Sequence, residues 1–177
     1  MIVRTLLAAF AAFALAGPAP AQTKSPSPPG CPGAENHQLD FWIGKWEVYP
    51  TGKTNKVADS LIEAVYHGCG IRENWMPLVP GGGGGSLSGY VPAEHAWKQT
   101  WLDSAGSHVE FVGGWDGQKM AITGDWVGAA NPPGTHNYTR MMYAPNPDGS
   151  VRQWGEASPD GKSWAPSFDL TYRKANS

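Results

Sequence analysis

Turn-forming clusters cut the chain at short, regular intervals: DSAGS at 103–107, WDGQ at 115–118, ANPPGT at 130–135, APNPDGS at 144–150 and ASPDGKS at 157–163. Asp-Gly and Pro-Asp-Gly are hairpin chemistry, because Gly accepts positive φ and Pro presets the first turn position. The stretches between them are rich in aromatic and β-branched residues and too short for crossover helices. The spacing predicts ten strands: Trp42 to Tyr49, Ala58 to Tyr66, Gly70 to Met76, Ser86 to Val91, Ala96 to Asp103, His108 to Trp115, Lys119 to Val127, His136 to Tyr143, Val151 to Ser158 and Ser167 to Arg173. A long antiparallel meander leaves two exposed edges unless it closes, so the expected fold is all-β, a single up-and-down β-barrel. One helical turn is expected near Asn36 to Phe41, with Asn36 as a cap.

Period-two alternation assigns side chains to faces. In AWKQTWLDS, Trp97, Gln99, Trp101 and Asp103 share a side; in GIRENWM, Ile71, Glu73 and Trp75 do; in VRQWGEAS, Arg152, Trp154 and Glu156 do, with Gln153 opposite. Indoles interleaved with amides and ionisable groups recur on several strands. A barrel filled by aliphatic side chains has no use for such groups, since a buried charge is costly unless paired. Alternation alone leaves open which face is inside.

The chain opens MIVRTLLAAFAAFALAGPAPAQ: a basic Arg4, an apolar run and an Ala-Pro-Ala cleavage pattern. This reads as an export leader over residues 1–21, giving a soluble periplasmic or extracellular protein. The run is too short to span a bilayer, which takes ~20 residues. Cys31 follows SPPG, unlike a lipid-anchor site. A Pro-rich linker is expected over 22–35 and the barrel domain over 36–175.

Cys31 and Cys69 are the two cysteines, and an even count after export favours a disulfide between them. Without the leader, Lys and Arg fall from 13 to 12 against 15 Asp and Glu, a net charge of about −3. That balance argues against nucleic acid as a partner.

The five histidines are scattered without ligand spacing, so no metal site is expected. SLSGY is not a nucleophile elbow, and the pentaglycine before Ser86 lacks the ending of a phosphate loop; it reads as a flexible loop near a cavity mouth.

Taken in order, LDFWIGKWEVY, GCGIRENW, SLSGY, WKQTWLDSAG, DGQKMAITGDW, DGSVRQWGEASPDGKSW and FDLTYRK resemble the successive blocks of the family known as domain of unknown function 1579, among the calycin-like (lipocalin-related) β-barrels. The resemblance covers nearly the whole chain after the leader. It implies a closed or nearly closed antiparallel barrel. Gly44-Lys45-Trp46 is similar to the Gly-x-Trp of lipocalin first strands, which makes Trp46 the plug of one barrel end and Trp42 its neighbour.

Glu73, Trp75, Gln99, Trp101, Asp103, Arg140, Gln153 and Glu156 are the pocket-side candidates. The expected function is binding of a small apolar or aromatic molecule, oriented by a few buried polar groups and without a cofactor. The alternative is a cofactor-free lyase, hydratase or isomerase that works through cavity carboxylates and an arginine. A third reading, haem binding, lacks a histidine in the last strand.

Overall fold

Ten antiparallel strands pair in chain order, and the tenth returns to the first, closing an up-and-down barrel. The computed structural model describes residues 30–128, 132 and 134–175. The strands are β1 Gly44–Pro50, β2 Ala58–Val65, β3 Gly70–Pro77, β4 Gly84–Val91, β5 Ala96–Asp103, β6 His108–Trp115, β7 Met120–Asp125, β8 Tyr138–Pro145, β9 Val151–Ser158 and β10 Ala165–Lys174. Closure removes both sheet edges. The leader read over residues 1–21, and the linker up to residue 29, lie outside the described residues.

The aspartates of the turn clusters do the work expected of them. Asp116 Oδ1 accepts the backbone N–H groups of Gln118 and Lys119, and Asp160 Oδ1 those of Lys162 and Ser163. Each carboxylate thus satisfies donors that a reversing backbone leaves unpaired.

One barrel end is sealed. Trp42 sits in a short 3₁₀ turn, Asp40–Trp42, and is fully buried; Trp46 lies inside β1 and is 1% exposed. Trp46 Nε1 donates to Trp42 O at 2.8 Å, and Lys174 Nζ lies 4.4 Å from the Trp46 ring centre on the outside. Trp42 packs on Tyr143 and Tyr172 at centroid distances of 4.9 and 6.0 Å. A disulfide joins Cys31 to Cys69 beside this end, with Cα atoms 5.1 Å apart. It ties the segment before the barrel to the β2–β3 connection.

Several boundaries differ from the sequence reading. β1 begins at Gly44, because Trp42 belongs to the preceding turn. Asn36 is not a cap: it lies within the 3₁₀ turn Ala34–His37, buried, with its amide directed to Gly33 O. β4 takes in Gly84 and Gly85, so part of the pentaglycine is strand. The reason is steric: a Cβ on Gly84 would meet the Trp101 ring at 2.5 Å, so only glycine lets that indole lie across β4.

Candidate functional site

Opposite the Trp42–Trp46 seal, the barrel interior holds a cavity of about 360 Å³ that reaches the surface past Gly83, Ser104 and Ala105. That volume falls within the ~300–1,000 Å³ of small-molecule sites. Trp75, Trp101, Trp126, Phe168 and Leu170 form its upper wall. Trp101 and Trp126 meet at 5.7 Å between ring centres, and Trp75 meets Tyr172 at 6.2 Å. A Cβ on Gly155 would overlap the Phe168 ring, so this glycine admits Phe168 into the barrel.

The cavity floor is polar. Glu73 projects inward from β3 and is 4% exposed. Ser60 Oγ on β2 and Ser86 Oγ on β4 each donate to its carboxylate at 3.2 Å. Registry explains the grouping: Glu73 lies opposite Ser86, and opposite residues of an antiparallel pair share a face. Tyr172 O–H donates to Gln153 Oε1 at 2.6 Å, and Gln99 Nε2 donates to Ser88 Oγ at 2.9 Å. Tyr143 and Met141 complete the floor.

Burial dominates the electrostatics here. Desolvation pushes the Glu73 carboxyl up to about 7, against the opposing pull of the Ser60, Ser86 and Tyr172 hydroxyls. The Tyr143 and Tyr172 hydroxyls are driven well above their ordinary range by burial and by the nearby Glu73 charge. Asp103 lies at the mouth. Its partial burial raises its pKa, but the Trp101 indole N–H at 3.0 Å and the Ser107 and Ala105 backbone N–H groups outweigh that and lower it. Asp103 therefore fixes both the mouth turn and the Trp101 ring.

The structure brings together Glu73, Trp75, Gln99, Trp101, Asp103 and Gln153 around this one cavity. It does not bring Arg140 and Glu156 to it. They face outward and pair with each other, Arg140 Nε donating to Glu156 Oε2 at 3.0 Å, beneath the Trp164 ring at 4.4 Å. Arg152 is likewise outside, bound to Asp169 and lying over Trp154 at 4.6 Å.

The shared face of Arg152, Trp154 and Glu156 is real, but it is the outer one. On β9 the inward positions are Val151, Gln153 and Gly155. The physical reason is desolvation: on the outer face Arg140 and Arg152 keep water beside their Glu156 and Asp169 partners, whereas burial would strip hydration from each guanidinium.

Sequence reasoning missed Ser60, Ser86, Ser88, Trp126, Tyr143, Phe168 and Tyr172. Alternation carried part of that signal: Ser86 and Ser88 share a face in SLSGY, as do Phe168, Leu170 and Tyr172 in FDLTY. Trp126 was out of reach, because it follows β7 in a connection and no strand period fixes its direction.

Among the described residues, no Lys, Arg or His lines the cavity, and no helix is long and apolar enough to cross a membrane. No protein-family model matches the chain, and no curated protein matches it.

Proposed function

We propose that the protein is a small-molecule-binding β-barrel whose ligand is an apolar or aromatic compound held in the interior cavity, and that it acts after export. The observation that carries this reading is an asymmetric barrel: one end sealed by Trp42 and Trp46, the other opening on a cavity with indole walls and a polar floor. Aromatic faces supply apolar contact area, and a few fixed polar groups supply orientation. Export is supported by the leader pattern and by the Cys31–Cys69 disulfide, which suits an oxidising compartment. The sequence blocks resembling domain of unknown function 1579 are in keeping with a barrel of this kind.

The test is titration with a neutral, environment-sensitive dye such as N-phenyl-naphthylamine. Saturable one-to-one enhancement is expected, weakened at least about tenfold by Trp101→Ala through loss of buried ring contact. Absence of saturable binding in the folded protein would overturn the reading.

Catalysis is a second reading, favoured by one observation. Glu73, with its carboxyl near 7, is poised to give or take a proton close to neutrality. The expected arginine partner is absent from the described cavity lining, which leaves Glu73 as the acid–base group on this reading. Turnover that vanishes in Glu73→Gln while dye binding persists would support it, and turnover retained by that variant would overturn it.

A further inference from the structure

We propose that the ligand of this cavity is a protonated amine on an apolar or aromatic body, with its ammonium group seated against Glu73. The inference rests on the ligand-binding reading above and adds the charge of the ligand.

Three observations carry it. The cavity lining contains two carboxyl groups, Glu73 on the floor and Asp103 at the mouth, and among the described residues no basic side chain. Most strong donors of the floor are already committed, Ser60 and Ser86 to Glu73, Tyr172 to Gln153 and the Gln99 amide to Ser88, while the Tyr143 O–H and the Gln153 amide reach only the Met141 sulfur at 3.8 Å. The charged groups that face the space are thus carboxyls, acceptor-only when ionised, which suits a ligand that brings N–H donors. The walls are aromatic, and aromatic faces attract cations as well as apolar surface.

An anionic ligand meets the opposite situation. It would bury a second negative charge near Glu73 with no countercharge on the lining, and such burial is strongly unfavourable. A cation, by contrast, relieves the desolvation that Glu73 already suffers.

The groups facing Glu73 determine the pH response. Ser60 on β2, Ser86 and Ser88 on β4, Gln99 on β5 and Gln153 on β9 do not titrate near neutrality. Tyr143 on β8 and Tyr172 on β10 stay neutral throughout, because both are pushed upward, and Asp103 is already ionised. Glu73 alone changes charge. A cation prefers it ionised, so affinity falls as pH drops through about 7, by about tenfold between pH 8 and pH 6.

The experiment is calorimetric titration with three matched probes, phenylbutylamine, phenylbutanol and phenylbutyrate, at pH 8 and pH 6. At pH 8 the amine is expected to bind at least about tenfold more tightly than the alcohol, with the carboxylate weakest. Lowering the pH is expected to weaken the amine about tenfold and leave the alcohol unchanged. Glu73→Gln is expected to remove the amine's advantage while preserving alcohol binding, which also shows the variant to be folded. Alcohol or carboxylate binding as tight as the amine's in the parent protein would overturn the proposal and leave the binding reading standing. Failure of all three probes would overturn the proposal, and the binding reading falls with it only where the neutral dye also fails to saturate.

Discussion

Replacing Glu73 by Gln should make the protein more stable at neutral and alkaline pH, and the size of the gain follows from its surroundings. The carboxyl is 4% exposed, receives two serine hydroxyls at 3.2 Å, and faces no cation among the described residues lining the cavity. Burial moves it from its ordinary 4.5 to about 7. A group whose folded pKa is raised favours the folded state in its protonated form. Its stabilising effect is full below about pH 4.5 and is lost progressively as pH rises to about 7. At ~1.4 kcal/mol for each pH interval of one, that loss comes to about 3 kcal/mol.

Gln keeps the shape and cannot ionise, so the variant lacks this slope. Urea unfolding followed by tryptophan fluorescence, from pH 4.5 to 8.5, measures both proteins. The two are expected to agree within about 1 kcal/mol at the acid limit, with the variant ahead by about 3 kcal/mol near pH 8. A stability difference that stays constant with pH would refute the argument that Glu73 is buried without a countercharge.

Two further outcomes test the frame and the outer face. Cys31→Ser removes a cross-link between positions 38 residues apart. On the chain-entropy account it should lower unfolding free energy by up to about 4 kcal/mol, read in the same urea assay without affecting one-to-one dye binding. Arg140→Ala breaks a half-exposed ion pair with Glu156 and its contact with Trp164. Pairs of this kind contribute little, so the loss should stay within ~1 kcal/mol and dye affinity should not change. A large effect of Arg140→Ala on binding would place the functional surface outside the barrel.

The fold was legible because turn chemistry and short apolar segments recur with a regularity that few architectures accommodate. The site was legible in part, and the division has a physical basis. On β5, Trp97 and Gln99 alternate with Lys98 and Thr100, so burial of the indole and amide sets the whole strand. On β9 both faces mix aromatic and polar groups, and a one-step error in phase exchanges Gln153 for Arg152 and Glu156. What fixes the phase there is Gly155, whose missing side chain admits Phe168 from β10. That contact joins distant strands through a register irregularity between Pro166 and Phe168, which no local pattern reveals. The pentaglycine lies at the cavity mouth as its sequence suggests, with Gly83 on the lining, but the inclusion of Gly84 in β4 has no local signal, since its purpose lies in the Trp101 ring of the next strand.

The central claim, an interior binding cavity open at one end, is tested most directly by following the nine tryptophan indole N–H signals in a two-dimensional NMR titration with the neutral dye. Trp75, Trp101 and Trp126 line the cavity, whereas Trp154 and Trp164 lie against outward arginines. The account predicts saturable shifts at the first three, with Trp154 and Trp164 unmoved. Shifts confined to the outer pair, or a saturating dye that leaves Trp75, Trp101 and Trp126 unchanged, would contradict it.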